Sequence, residues 1–183
     1  MNHYYLAASL PTLVLGDPVP LDADAFRAAC ANLLDDSEMA ELTLMLEGRV
    51  GEATSDFAKA WRNVDTQLRN ALARVRAGQR TIEARPYLRE HEDFDVSLEK
   101  AVTDAQTRPD PLECELFLDR YRWQRLDNLV RETPFGFAAL LAYALKLRLA
   151  VRWAALTDEA GGQRLAELIE ELEQKGQPST SET

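Results

Sequence analysis

The chain has 183 residues, near the usual size of one domain, and its 46% hydrophobic and 28% charged residues exclude wholesale disorder. Its 21 Lys+Arg stand against 31 Asp+Glu, a formal net charge of −10, so the molecule as a whole repels nucleic-acid backbones and anionic membrane surfaces. Gly and Pro number 8 each, too few for a turn-rich all-β fold.

Prolines at positions 11, 18 and 20 break the N-terminal stretch after Leu10. It reads as a short helix or strand followed by an extended arm, and periodicity does not decide between them at this length. Asp22 or Asp24 can cap a helix running to about Leu34, with Phe26, Cys30, Leu33 and Leu34 on one side. Asp36 or Ser37 can cap a second helix to about Leu46, flanked by Gly48 and Gly51. The clearest amphipathic helix starts near Ser55. Phe57, Trp61, Val64, Leu68, Leu72 and Val75 recur every three or four residues, and Gly78 suits the position after its end. Residues 80–95 are polar and contain Pro86, which predicts a loop. A helix from about Asp95 to Thr107 follows, ended by RPDP. Pro111 opens a helix to Glu132. Thr133 as N-cap and Pro134 at the first helical position start the next, to about Ala155, and Thr157 caps a last helix through Glu173. The expected architecture is all-α: a multi-helix bundle over residues 1–175, or two small helical lobes, with a long C-terminal αα-hairpin and a disordered tail at 176–183.

Cys30 and Cys114 match no CxxC or zinc-ligand spacing and read as small core side chains in a reduced compartment. The N-terminus lacks a basic run and Pro11 interrupts its apolar stretch, so no signal peptide is expected. The longest apolar segment, residues 135–156, contains Lys146, Arg148 and Arg152, which argues against a bilayer span. A cytoplasmic protein is expected.

GxxxxGK[ST], GxGxxG and GxSxG are absent from the sequence, and no cofactor or metal is expected. The run REHEDFD places His91 among Glu92, Asp93 and Asp95. A solvated acidic loop is the plain reading, and carboxylate chemistry by a small enzyme is the rival.

The basic residues at 135–156 say more. Arg148 and Arg152 share a stripe with Phe137, Leu141 and Leu145, while Lys146 falls on the opposite side near Trp153. On the preceding helix, the stripe of Leu112, Leu116, Trp123, Leu126 and Val130 is interrupted by Asp119, with Glu115 at its border. Folded back about the Thr133–Pro134 turn, Asp119 stands level with Arg148 and Glu115 with Arg152. Two interhelical ion pairs are therefore expected, or else one or both arginines meet a partner's carboxylate. Tyr4, Tyr5 and Leu6 read as an anchor into a groove of the same chain or as an exposed aromatic patch.

The opening YYLAASLPTL, followed by an acidic helix, resembles the start of a small uncharacterised family encoded within bacterial V-type ATPase operons. The stretch GFAALLAYALKLRLAVRWAALTDEAGGQRLAEL, residues 136–168, resembles that family's C-terminal pattern. More distantly, it is similar to the last helical lobe of the V-type ATPase central-stalk subunit called C or d. That subunit is longer and has three lobes. The resemblance implies a non-catalytic V-type ATPase subunit of the stalk, coupling rotor to membrane ring, or an assembly factor. It also implies partners among the stalk and ring subunits, and a peripheral position at the inner membrane through the complex. Tyr143, Lys146, Arg148 and Arg152 occupy the corresponding helix and are the candidate partner-binding residues.

Overall fold

The computed structural model describes residues 3–156, 161–163 and 166–169. Its named helices are α1 (Tyr4–Ser9), α2 (Ala23–Ala31), α3 (Asp36–Glu47), α4 (Asp56–Arg80), α5 (Val96–Gln106), α6 (Pro111–Leu129) and α7 (Phe137–Ala154). Residues 161–163 and 166–169 are also helical. The Thr157 cap, the helix end at Glu173 and the 176–183 tail lie outside the described residues. The architecture is an all-α bundle. Among the described residues no helix is long and apolar enough to cross a membrane.

Side-chain caps fix most of the helix starts. Asp22 accepts from the Ala25 amide, and Ser55 from the Ala58 amide. Asp95 and Asp110 cap α5 and α6 in the same way. For α3 the cap is Asp35, one residue before Asp36 and two before Ser37, because Asp35 and Glu38 close a reciprocal capping box. At its other end α2 stops at Ala31, short of Leu34, and Leu33 is exposed. The α4 helix runs past Gly78 to Arg80, and Thr81 takes the left-handed position (φ 56°), its amide bonded back to the end of the helix. A glycine inside a helix weakens it but ends it only where the chain turns left-handed.

Two apolar cores share α4 and α6. The first gathers Leu6 of α1, Phe26 and Cys30 of α2, Leu42 and Met45 of α3, Trp61 of α4, Leu126 of α6 and the inner face of α7. The second gathers Leu68 and Leu72 of α4, Leu98 and Val102 of α5, and Leu118 of α6. The α6 stripe is rotated from the expected one, with Leu118 fully buried and Leu112 exposed. Cys30 is fully buried, and desolvation pushes its thiol up to about 11, as befits a core side chain.

The polar segment before α5 is tied to α4 by a ladder of amides. Buried Gln67 donates to the Asp95 carbonyl (2.8 Å) and accepts from its amide (3.0 Å). Buried Asn70 does the same for Arg89 (2.7 and 2.9 Å). Each side chain mimics a peptide group and closes a two-bond ring on the loop backbone. Asn70→Ala would leave both Arg89 backbone groups without these bonds, at a cost of about 1–2 kcal/mol. We expect a lower urea midpoint and faster trypsin cleavage after Arg89; unchanged cleavage would show that other contacts hold the loop.

Candidate functional site

The C-terminal hairpin forms, with a wider turn than expected. The α6 helix ends at Leu129, and α7 begins at Phe137 behind Gly136 rather than behind Thr133. Two consecutive turns, closed by Thr133 N–H to the Val130 carbonyl and Gly136 N–H to the Thr133 carbonyl, fill the gap. Phe135 thereby leaves the helix and meets Tyr4, ring centroids 4.6 Å apart.

Of the two expected ion pairs, Glu115–Arg152 forms (3.4 Å) and Asp119–Arg148 does not. Asp119 is fully buried and is held by Arg122 (2.7 Å), the Trp153 indole N–H (2.8 Å) and Arg152 (3.3 Å). The reason is the tilt of helical side chains toward their own N-terminus. On α6 that direction leads away from the turn, and on α7 toward it. Asp119 therefore meets Arg152, about one helical turn farther along α7 than its backbone level, and the long side chain of Arg152 also reaches Glu115.

The other candidate partner-binding residues are largely engaged within the chain. The Tyr143 hydroxyl donates to the Pro11 carbonyl (2.9 Å), its ring lies 4.9 Å from Phe26, and burial pushes its phenol up to about 12. Lys146 pairs with Asp127 and lies over the Trp123 ring at 4.9 Å. Arg148 differs: among the described residues no carboxylate lies within ion-pair distance of it. Its guanidinium rests on Gly48, where an added Cβ would come within 2.4 Å of it. Gly48 has φ 77°, ends α3, and so presents the negative end of that helix to the cation. Desolvation by the surrounding walls pulls the Arg148 guanidinium below its ordinary value.

The segment around His91 does not converge on a site. Asp95 caps α5 and pairs with Arg125 (3.0 Å); hydrogen bonds from Ser97, and then the Arg125 charge, hold its carboxyl below the usual range. Glu92 and Asp93 are exposed, and the His91 ring faces the backbone carbonyls of Glu92 and Asp93.

Two other features stand out. At the end of the molecule where α1 meets the α6–α7 turn, Tyr4, Tyr5 and Phe135 are 50%, 74% and 45% exposed and form a row, Tyr4 meeting Tyr5 edge to face and Phe135 at a tilt. Beneath them Leu6 is buried and His3 bonds Glu38 (2.8 Å), so Tyr4-Tyr5-Leu6 is both an anchor and a surface. The second feature is a cleft of about 660 Å³ between α4, α6, α7 and the α3 C-terminus. Arg62, Arg69, Arg89, Arg122, Arg148 and Arg152 line it, against Asp65 and Asp119. Reading the sequence found only two of these six arginines. The seven-residue spacing of Arg62 and Arg69 puts them on one face of α4, but their meeting with α7 depends on tertiary packing.

A family model described as "Protein of unknown function (DUF2764)" matches residues 46–176, from the end of α3 through α7 and beyond. No curated protein and no solved structure matches the chain. The family match takes in α4 to α7, with the second core, the C-terminal part of the first and the arginine cleft, and the chain belongs to the DUF2764 family.

Proposed function

We propose that this protein is a non-catalytic interaction module of a V-type ATPase, a central-stalk component of the C/d kind or an assembly factor for it. The observation that carries this reading is the aromatic row Tyr4–Tyr5–Phe135 at one end of the bundle. Exposed aromatic rings side by side are what protein interfaces enrich, because each ring buries a large area at little cost in side-chain entropy. The row is also preorganised. Leu6 below it is buried, the Tyr143–Pro11 bond holds the following arm, and Phe135 is fixed by the hairpin turn. The sequence resemblance of residues 4–13 and 136–168 supports the choice of partner, and the Tyr143–Pro11 bond joins the two segments. Docking would seat the aromatic end on stalk or ring subunits, so that the protein works by shape and contact.

The test is co-purification of the tagged protein with detergent-solubilised V-type ATPase. Stalk or ring subunits should be recovered with the wild type and lost with the Tyr5→Ser/Phe135→Ser variant, whose fold circular dichroism should leave unchanged. Recovery of the wild-type protein alone, from cells where the enzyme is abundant, would overturn the assignment.

A further inference from the structure

We propose that the arginine cleft is a binding site for a phosphorylated small molecule, whose phosphoryl oxygens are held by Arg62, Arg89 and Arg148. The site goes beyond the docking reading and shares no residue with the aromatic row.

Charge is the first argument. In a chain of net charge −10, six of the 21 basic residues face one cleft that contains two aspartates. Three of the six are neutralised locally. Arg69 pairs with Asp65 (2.8 Å), Arg122 with Asp119 (2.7 Å) and Asp65 (3.5 Å), and Arg152 with Asp119 and Glu115. The other three are not. Arg62 donates to the carbonyls of Gly51 (2.8 Å) and Ala53 (3.2 Å). For Arg62, Arg89 and Arg148 no carboxylate lies within ion-pair distance among the described residues. Three guanidinium charges around one cavity repel one another, and the acidic surface of the protein leaves them unmatched. A multivalent anion would relieve that repulsion.

Placement is the second argument. The fold fixes the guanidinium groups of Arg62 and Arg148 and the backbone of Arg89, whose side chain is exposed at the cleft. Arg62 is tethered to the carbonyls that follow α3, Arg89 is positioned by the Asn70 clamp on its backbone, and Arg148 lies flat against Gly48. Prepositioned guanidinium forks are suited to the oxygens of phosphate, which accept paired N–H bonds.

Size and surroundings narrow the class. A cavity near 660 Å³ matches a metabolite-sized ligand. Leu145, Leu149 and Trp61 give it an apolar wall, and Tyr87, 64% exposed, offers a ring at its rim. The acidic exterior opposes extended polyanions such as RNA, whereas a small anion meets the arginines at short range, where salt screens little.

The experiment is isothermal titration of the full chain with sodium pyrophosphate, ATP and adenosine at fixed ionic strength, with circular dichroism as the check on fold. Pyrophosphate and ATP should bind, and adenosine should not. Arg148→Gln and, separately, Arg89→Gln should each weaken binding about tenfold, the loss expected for a charge-assisted contact, while Arg80→Gln outside the cleft should not. Equal binding of pyrophosphate and ATP would place recognition in the phosphoryl groups. Tighter ATP binding that Tyr87→Ala levels would add a planar body to the ligand. Either result upholds the site. Failure of both anions to bind at millimolar concentration would overturn it, as would equal binding by the wild type and the folded Arg89→Gln protein.

Discussion

Asp119→Ala should destabilise the protein by about 3 kcal/mol, more than any other change to the hairpin's ion pairs, with urea denaturation as the measurement. The carboxylate is fully buried and serves two helices at once. It takes Arg122 from its own helix, and Arg152 and the Trp153 indole from α7. Removing it takes the acceptor from the half-buried indole N–H of Trp153 and leaves Arg122 with Asp65 alone and Arg152 with Glu115 alone. Loss of one partner of a buried pair typically costs about 3–5 kcal/mol. The lower end applies here, because the Arg152 side chain is half exposed and can turn to water. Asp119→Asn should cost less, since an amide oxygen can still accept from Trp153. Glu115→Ala should cost under about 1 kcal/mol, because its pair with Arg152 is exposed and screened. Combined with Arg148→Ala, the effects of Asp119→Ala should add to within about 0.5 kcal/mol, as for residues that share no contact. A larger coupling would mean that Arg148 reaches the carboxylate in solution.

Why the Asp119–Arg148 pairing was the natural expectation, and fails, shows where the chain is legible. The helices follow from local rules: the apolar period of α4, Ser55 as its cap, Pro111 at the first position of α6, and a reversal around Thr133–Pro134. All of these are set within a few residues of chain. The hairpin's side-chain register is not. It depends on the tilt of side chains along antiparallel helices, a shift of about one turn that backbone counting misses. The cleft lies further from reach. Arg148 finds its seat on Gly48 because α7 packs along α3, and Arg89 arrives through a clamp on Asn70. The amide spacing Gln67–Asn70 is visible in the sequence, but the stretch of backbone it grips is not.

Phe26→Ala tests whether the two cores act as one unit. The ring is fully buried and packs on Tyr143, and with Cys30 it forms the buried face of α2. Its truncation should cost about 3–5 kcal/mol, lowering Tm by about 10 °C. A helix of nine residues has little stability of its own, so the cavity should loosen α2 before it loosens anything longer. Hydrogen exchange should then show lost protection at residues 23–31 and in α7 near Tyr143. Leu98 and Val102 of α5 touch only the second core and should keep theirs. The aromatic row would suffer with the first core, because Tyr143 also holds the arm that follows α1. On the docking proposed above, recovery of V-type ATPase subunits should fall with this variant even though Tyr5 and Phe135 are intact. If instead α5 loses protection in step with α2, the long helices α4 and α6 transmit the damage, and the bundle unfolds as one cooperative body.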